Sequence, residues 1–403
     1  MSTFTQSGKS YTSVAGTRAT SNVGSSAAMR DVQKAMVTYR PYQTPILAEL
    51  LSNPAAKKAT GNYKFEFPYS TLLPRTATVT LTGGASSEDD ITVSDSALFQ
   101  VGTTFIVEAS GDVLTVDSIA SSAVDVTLVG SGNITAAAAG STVHFLAPSF
   151  EEGDSSSNSI SVNKNFEYNY TQEMKKSVTI TGRQSAMVEY GDEDWMRNKR
   201  DRMQEWKIDI EKSLLFGKTY YSSTGFTAGS YAQSWTGGLF YGSGTNSYIN
   251  GADTTAIGSF DQDYFFGTFA KNIFVKGGNR KTFYVGSAVK NVISGFSRSV
   301  TRTSVGERKF GLAVNSIETD FGTLDVMWHQ MLEGTTYSNW GVVVDESEPF
   351  LKYRFLSGNG VNRDFRFEEY PLYAEQEKRK GEWKADIGWQ VEGDEYHYLY
   401  KGA

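Results

Sequence analysis

Within residues 196–214, Met196, Met203, Trp206, Ile210 and Leu214 recur at spacings of seven, three, four and four. They form one narrow apolar stripe in an otherwise charged stretch, GDEDWMRNKRDRMQEWKIDIEKSLLFG (191–217). Spacing close to the helical period predicts a long helix over about 191–217. Asp192, Glu193 and Asp194 suit its N-terminal end and Lys212 its C-terminal end, by the sign of the helix dipole. Gly217 is placed to stop it. A stripe this thin rests on one layer of protein and leaves the other faces to water or to other subunits.

Elsewhere the period changes. TPILAELLSN (44–53) predicts a short amphipathic helix capped by Thr44 with Pro45 in its first turn. YKFEFPYSTLL (63–73) alternates, with Tyr63, Phe65 and Phe67 on one face and Lys64 and Glu66 on the other, a strand with one wet side. Residues 76–147 predict five or six short strands separated by Gly, Ser and Asp turns, the pattern of a small barrel or sandwich. SFEEGDSSSNSISVNK (149–164) is a polar linker, after which FEYNYTQEMKKSVTITG resumes alternation. The flanks 63–75 and 160–182 are expected to pair with each other and carry the strand-rich block at their tip. STGFTAGSYAQSWTGGLFYGSGTNSYING (223–251) predicts a long surface loop.

From residue 254 the pattern is mixed. Phe260, Tyr264, Phe265 and Phe269 have helical spacing and stop before Gly277 and Gly278; KTFYVG is a buried strand, and SAVKNVISGF a helix capped by Ser287. Further strands follow, ending in an antiparallel tail. The whole predicts an α+β core.

Charge sharpens this division. Residues 76–147 contain eight Asp or Glu and no Lys or Arg, so the rest of the chain sums to +1 against a total of −7. The block also lacks Trp and Tyr, of which the chain has 7 and 22, and a compositional break on both sides marks an inserted module. Residues 1–62 tilt the other way, with Lys9, Arg18, Arg30, Lys34, Arg40, Lys57 and Lys58 against Asp31 and Glu49. The first 28 residues are small and polar, and alone should be flexible. The absence of cysteine excludes disulfides, thiolate zinc and a cysteine nucleophile. No secretory core or run of about 18 apolar residues occurs, so a cytoplasmic soluble protein is expected.

Chemistry is sparse. His144, His329 and His397 fit no metal-binding spacing and are expected to be ordinary strand or surface histidines. There is no GxSxG elbow, the glycine runs 242–251 and 275–281 are not P-loops, and SSEDD (86–90) reads as a solvated turn. Glu346 with Glu348, or Glu368 with Glu369, could serve a glycosidase, with tyrosines and tryptophans stacking on sugar, but adjacent carboxylates do not supply the gap across a glycosidic bond. No catalytic, cofactor-binding or metal-binding residue is assigned.

FEYNYTQEMKKSVTITGRQSAMVEYGDED, RMQEWKIDIEKSLLFG, KGGNRKTFYVGSAVKNVISGF and IETDFGTLDVMWHQML follow one another in an order that resembles tailed-bacteriophage major capsid proteins of the Hong Kong 97-type fold, over about residues 160–345. The resemblance implies an N-terminal arm (1–40) with basic Lys9, Arg18, Arg30, Lys34 and Arg40. It implies the start of a peripheral domain and extended loop (41–75), the inserted acidic β-domain (76–147), and the return of the loop with a spine helix (148–257). An axial domain (258–345) with the strand motif Thr319, Asp320, Phe321 and Gly322, and C-terminal peripheral strands (346–403), complete it. It further implies a protein that is no enzyme, uses no cofactor, and self-assembles as pentamers and hexamers into an icosahedral shell around double-stranded DNA. Expected partners are a separate scaffolding protein, a portal, a decoration protein and weakly contacted DNA, without membrane, in a virion assembled in host cytoplasm. The alternatives are an encapsulin-like nanocompartment shell or a β-rich carbohydrate-binding protein or glycosidase.

Overall fold

The structure, a computed structural model, describes residues 2–6, 9–13, 44–81, 88–120, 123–149, 152, 161–187, 193–224, 231–241, 248–299, 316–348, 350–370 and 377–402. The chain divides into two compact units: residues 66–168, and the rest of the chain on either side of them.

The smaller unit contains a closed barrel of six strands, Thr76–Leu81, Glu88–Val93, Thr104–Val107, Val113–Ala120, Ala123–Leu128 and Ala137–Phe145. Alternate residues point inward, so Val79, Ile91, Phe105, Leu114, Val116, Val124, Val126 and Val143 fill it. Closure removes every free edge, which lets a small sheet stand without covering layers. Glu88, Asp89 and Asp90 open the barrel strand Glu88–Val93, pairing with Thr127, Val126 and Asp125, and are not a turn.

The main unit holds two six-stranded sheets. The first is organised by Lys378–Val391, which pairs antiparallel with Gln172–Thr181 on one side and with Arg366–Tyr370 and Leu351–Gly358 on the other. Residues Lys57–Thr60 add a parallel strand to Leu351–Gly358. The long helix, Asp194–Phe216, packs over this sheet. At about 1.5 Å per residue it spans roughly 34 Å.

The second sheet runs in the order Gly251–Asp253, Tyr398–Lys401, Trp340–Asp345, Arg280–Val285, Gly322–Trp328, Ser316–Thr319. The helix Ser287–Ser299 makes the crossover between the parallel strands Arg280–Val285 and Gly322–Trp328. A helical segment from Gln262 to Phe274, with a π-helical turn at Phe265–Phe269, brings Phe265, Phe269 and Ile273 against Phe283, Leu324 and Val326.

Several expectations are corrected. Strand Gln172–Thr181 pairs with the C-terminal strand Lys378–Val391, so only Lys64–Tyr69 and Asn165–Tyr170 pair with each other across the flanks. The last strand, Tyr398–Lys401, joins the second sheet beside Trp340–Asp345, because its alternating Leu399 and Tyr400 complete the two cores that flank that sheet. The expected surface loop at 223–251 is partly core: Leu239, Phe240, Tyr248 and Ile249 are buried, the amides of Leu239 and Phe240 bond the Leu214 and Leu215 carbonyls in the last turn of the long helix, and the Gly238 amide bonds the carbonyl of Gly217 just after it. Those carbonyls have no partner within a helix, so an outside strand of amides fixes this segment. Gly217 keeps a negative φ and is required for close approach, since a Cβ there would lie 2.4 Å from the Thr236 carbonyl oxygen. Residues Ser2–Gln6 and Lys9–Ser13 pair as an antiparallel hairpin where a flexible arm is expected, and the strand-favouring Thr3, Phe4, Thr5, Tyr11 and Thr12 supply its sequence.

Candidate functional site

The long helix sits on the first sheet through Trp206, Ile210 and Leu214, all buried; Met203 is half-buried. Trp206 stacks on Trp383 at 6.2 Å and meets Phe365 edge-on at 5.5 Å. Met196, expected in the stripe, is 49 % exposed, and Trp195 takes its place in a small core with Val178 and Ile180. Successive helical residues are about 100° apart, so the buried face at the N-terminal end lies a quarter-turn from Met196.

Glu211 is the polar centre of the main unit. It is completely buried, and its carboxylate accepts the amides of Ile46 at 3.0 Å and Leu47 at 2.8 Å and a hydrogen bond from His329 Nε2 at 2.9 Å. His329 Nδ1 accepts the amide of Met331, so Nε2 carries the proton that it gives to Glu211. Glu211 therefore does what Thr44 was expected to do: Thr44 makes no side-chain cap, and the first amides of helix Pro45–Ser52 are satisfied from the long helix. Three donors on one buried carboxylate offset its desolvation and tie the helix Pro45–Ser52, the long helix and the second sheet together. Ser287, the other expected cap, instead bonds Glu333 and is itself the first residue of its helix.

A second buried polar group lies under the second sheet. Lys281 Nζ donates to the carbonyls of Ile273, Lys276 and Tyr396 and lies 3.7 Å from Asp345. Asp345 also accepts from Gly278 N and from Ser347, and these partners hold its carboxyl below its usual range although burial opposes them. Gly277 has φ +90° and a Cβ there would meet Asp345 Oδ2 at 2.3 Å, so the glycine pair is needed to wrap this ion pair. His397, fully buried beside it, accepts the Asp345 amide at Nδ1 and is pushed down to about 4 by burial.

Along the paired strands Lys64–Tyr69 and Asn165–Tyr170 and the chain beside them several large apolar side chains are exposed: Tyr69, Leu72 at 88 %, Leu146, Phe166 at 62 % and Tyr168. A two-stranded ribbon with two open edges is marginal by itself, and apolar side chains lined up along it mark a surface that another protein covers.

The remaining expected residues are scattered. Thr319 and Gly322 close a hairpin through Asp320 and Phe321, so the motif is a turn and not a strand; the Thr319 hydroxyl bonds both the amide and the carbonyl of Gly322. A Cβ at Gly322 would meet the Asn279 carbonyl oxygen at 2.5 Å, which explains the glycine. Lys9 is in the N-terminal hairpin; Arg18, Arg30, Lys34 and Arg40 lie outside the described residues. His144 lies 3.5 Å from Glu108, and no group of three metal-ligating side chains occurs among the described residues. Glu368 and Glu369 are engaged with Arg366, Lys384 and Arg379 on the first sheet, not across a cleft. No described helix is long and apolar enough to cross a membrane.

A family model described as SU10 major capsid protein matches residues 5–403. Among solved structures, the capsid of a native GTA particle superposes with a TM-score of 0.50 at 11 % identity, covering 96 % of this chain and 99 % of that one. The capsid of cyanophage P-SCSP1u gives 0.48 at 7 % identity, covering 93 % of each chain. The SrpI encapsulin of Synechococcus elongatus PCC 7942 gives 0.37 at 8 % identity over 59 % of this chain and 77 % of that one. No curated protein matches the sequence. The GTA likeness shows a shared fold.

Proposed function

The chain belongs to the SU10 major capsid protein family, and from that premise we propose which of its parts build the shell. It is a bacteriophage capsid protein, structural and not enzymatic, and it associates with copies of itself in the virion. The family match sets the encapsulin and carbohydrate-active alternatives aside.

In our reading the long helix is the spine of a peripheral domain whose floor is the first sheet. The part of the second sheet and its helices within about 258–345 is the axial domain around fivefold and sixfold axes. The ribbon of Lys64–Tyr69 and Asn165–Tyr170 is the extended loop, and the barrel is a domain carried on it. Residues 1–40 are the arm. A separate scaffolding protein directs assembly in the host cytoplasm, a portal occupies one vertex, and a decoration protein binds the finished shell. Contact with packaged DNA is weak and independent of sequence, because the chain outside residues 76–147 sums to only +1.

The observation that carries this reading is the exposure of Phe166 on the ribbon and of Leu72 in the chain that follows its first strand. Shells arise when one such interface repeats with symmetry. The double substitution Leu72→Asp with Phe166→Asp should leave the subunit folded, by circular dichroism and melting, while abolishing shells in electron micrographs. Normal shells from the double variant would remove the ribbon from the interface.

A further inference from the structure

A groove of about 890 Å³ opens beside the joint described above, between the helix Pro45–Ser52 and the second sheet. One wall carries Glu49 and Glu346, and another the partly exposed side chains of Met327 and Trp328, at 45 % and 46 %. Glu49 is held in place by the hydroxyl of Tyr284, which donates to it at 2.6 Å. The groove's own cations are already engaged: Arg280 pairs with Asp325 at 2.8 Å, and Lys290 donates to the Val326 carbonyl. Among the described residues neither Glu49 nor Glu346 has a lysine or arginine in ion-pair distance. Crowding in the groove and the neighbouring Glu49 push the Glu346 carboxyl up, although Glu346 keeps access to solvent. Two neighbouring carboxylates without a close ion-pair partner, with Arg280 acting on Glu346 only at longer range while it pairs with Asp325, lie next to an apolar and aromatic shelf and match one kind of side chain. A lysine or arginine can lay its stem on Met327 and Trp328 and place its charge between the acids.

We propose that in the shell this groove receives a lysine- or arginine-bearing segment of a second copy of the chain. The proposal rests on the shell-forming reading above and adds a docking site to it. Charge complementarity names the chemistry, and self-association supplies the partner.

The chain has no cysteine, so Trp328→Cys introduces a single thiol that takes a benzophenone maleimide. Met327→Cys is a second, independent position. Shells assembled from equal parts of unlabelled and ¹⁵N-labelled subunits are irradiated, and the joined peptides are read by mass spectrometry. We expect about half of the joined pairs to carry mixed labels, with the captured peptide containing Lys or Arg. Glu346→Gln should raise the concentration needed for assembly by about fivefold. Joined pairs of one label only, or shells that yield no joined peptide from either position, would overturn the groove and leave the shell standing. A wild-type chain that forms no shells would overturn both.

Discussion

The barrel and the main unit reach stability by opposite routes. The barrel closes on itself, fills its interior with branched aliphatic residues and phenylalanine and leaves no edge. The main unit spreads two sheets and a long helix around separate cores and fastens them with buried charges at Glu211 and Lys281, while the two-stranded ribbon of Lys64–Tyr69 and Asn165–Tyr170 buries Phe65 and Phe67 but leaves Phe166 exposed. A closed core is complete within one chain. In the proposed reading, an open unit with polar fastenings is completed by its neighbours in the shell.

The sharpest way to break this contrast is Glu211→Ala. It strands two helix amides and His329 in a dry interior, so we expect a loss of about 5 kcal/mol in the main unit's unfolding transition. The barrel's transition should stay where it was in the same calorimetric scan. The reverse substitution is Phe105→Ala, which empties the barrel core and should lower only the barrel's transition, by about 4 kcal/mol. If both variants move both transitions equally, the two units are not separate cooperative units.

Acidification separates them further. His397 is neutral in the folded protein down to about 4, whereas unfolded histidine takes up a proton near 6.5. Below the unfolded value the unfolded chain binds more protons, so stability is full above about 6.5 and falls as pH drops towards 4. The loss is about 3 kcal/mol and belongs to the main unit. His397→Gln should flatten that slope in urea titrations between pH 7 and pH 4.5; an unchanged slope would assign the acid sensitivity elsewhere. The smallest effect is expected on the solvent face of the long helix, where Arg202→Ala removes an exposed pair with Glu205. It should cost under about 0.5 kcal/mol, and a larger loss in the isolated subunit would mean that this face is already packed.

The same contrast decides what could be read from the chain. Period-two alternation and eight acids with no Lys or Arg over residues 76–147 mark the barrel as a separate β-module, since a closed sheet obeys one local rule throughout. Trp206, Ile210 and Leu214 are legible as a helical stripe for the same reason. Trp195 was not, although it lies eleven residues, three helical turns, before Trp206; the contact face rotates along a helix that crosses a sheet, and a fixed stripe selects Met196 instead. Glu211 stands among many exposed charges, and its partners Ile46 and His329 are 165 and 118 residues away. No local pattern marks it. Lys281 is hidden in the same way, and only the neighbouring Gly277 and Gly278 hint that a chain must pass close by.

Amide hydrogen exchange on the free subunit and on the assembled shell tests the central claim most directly. We predict strong new protection at Lys64–Tyr69 and Asn165–Tyr170 on assembly, with the barrel strands equally protected in both states. Ribbon amides that exchange as fast in the shell as in the free subunit would contradict the claim that a sister copy completes this fold.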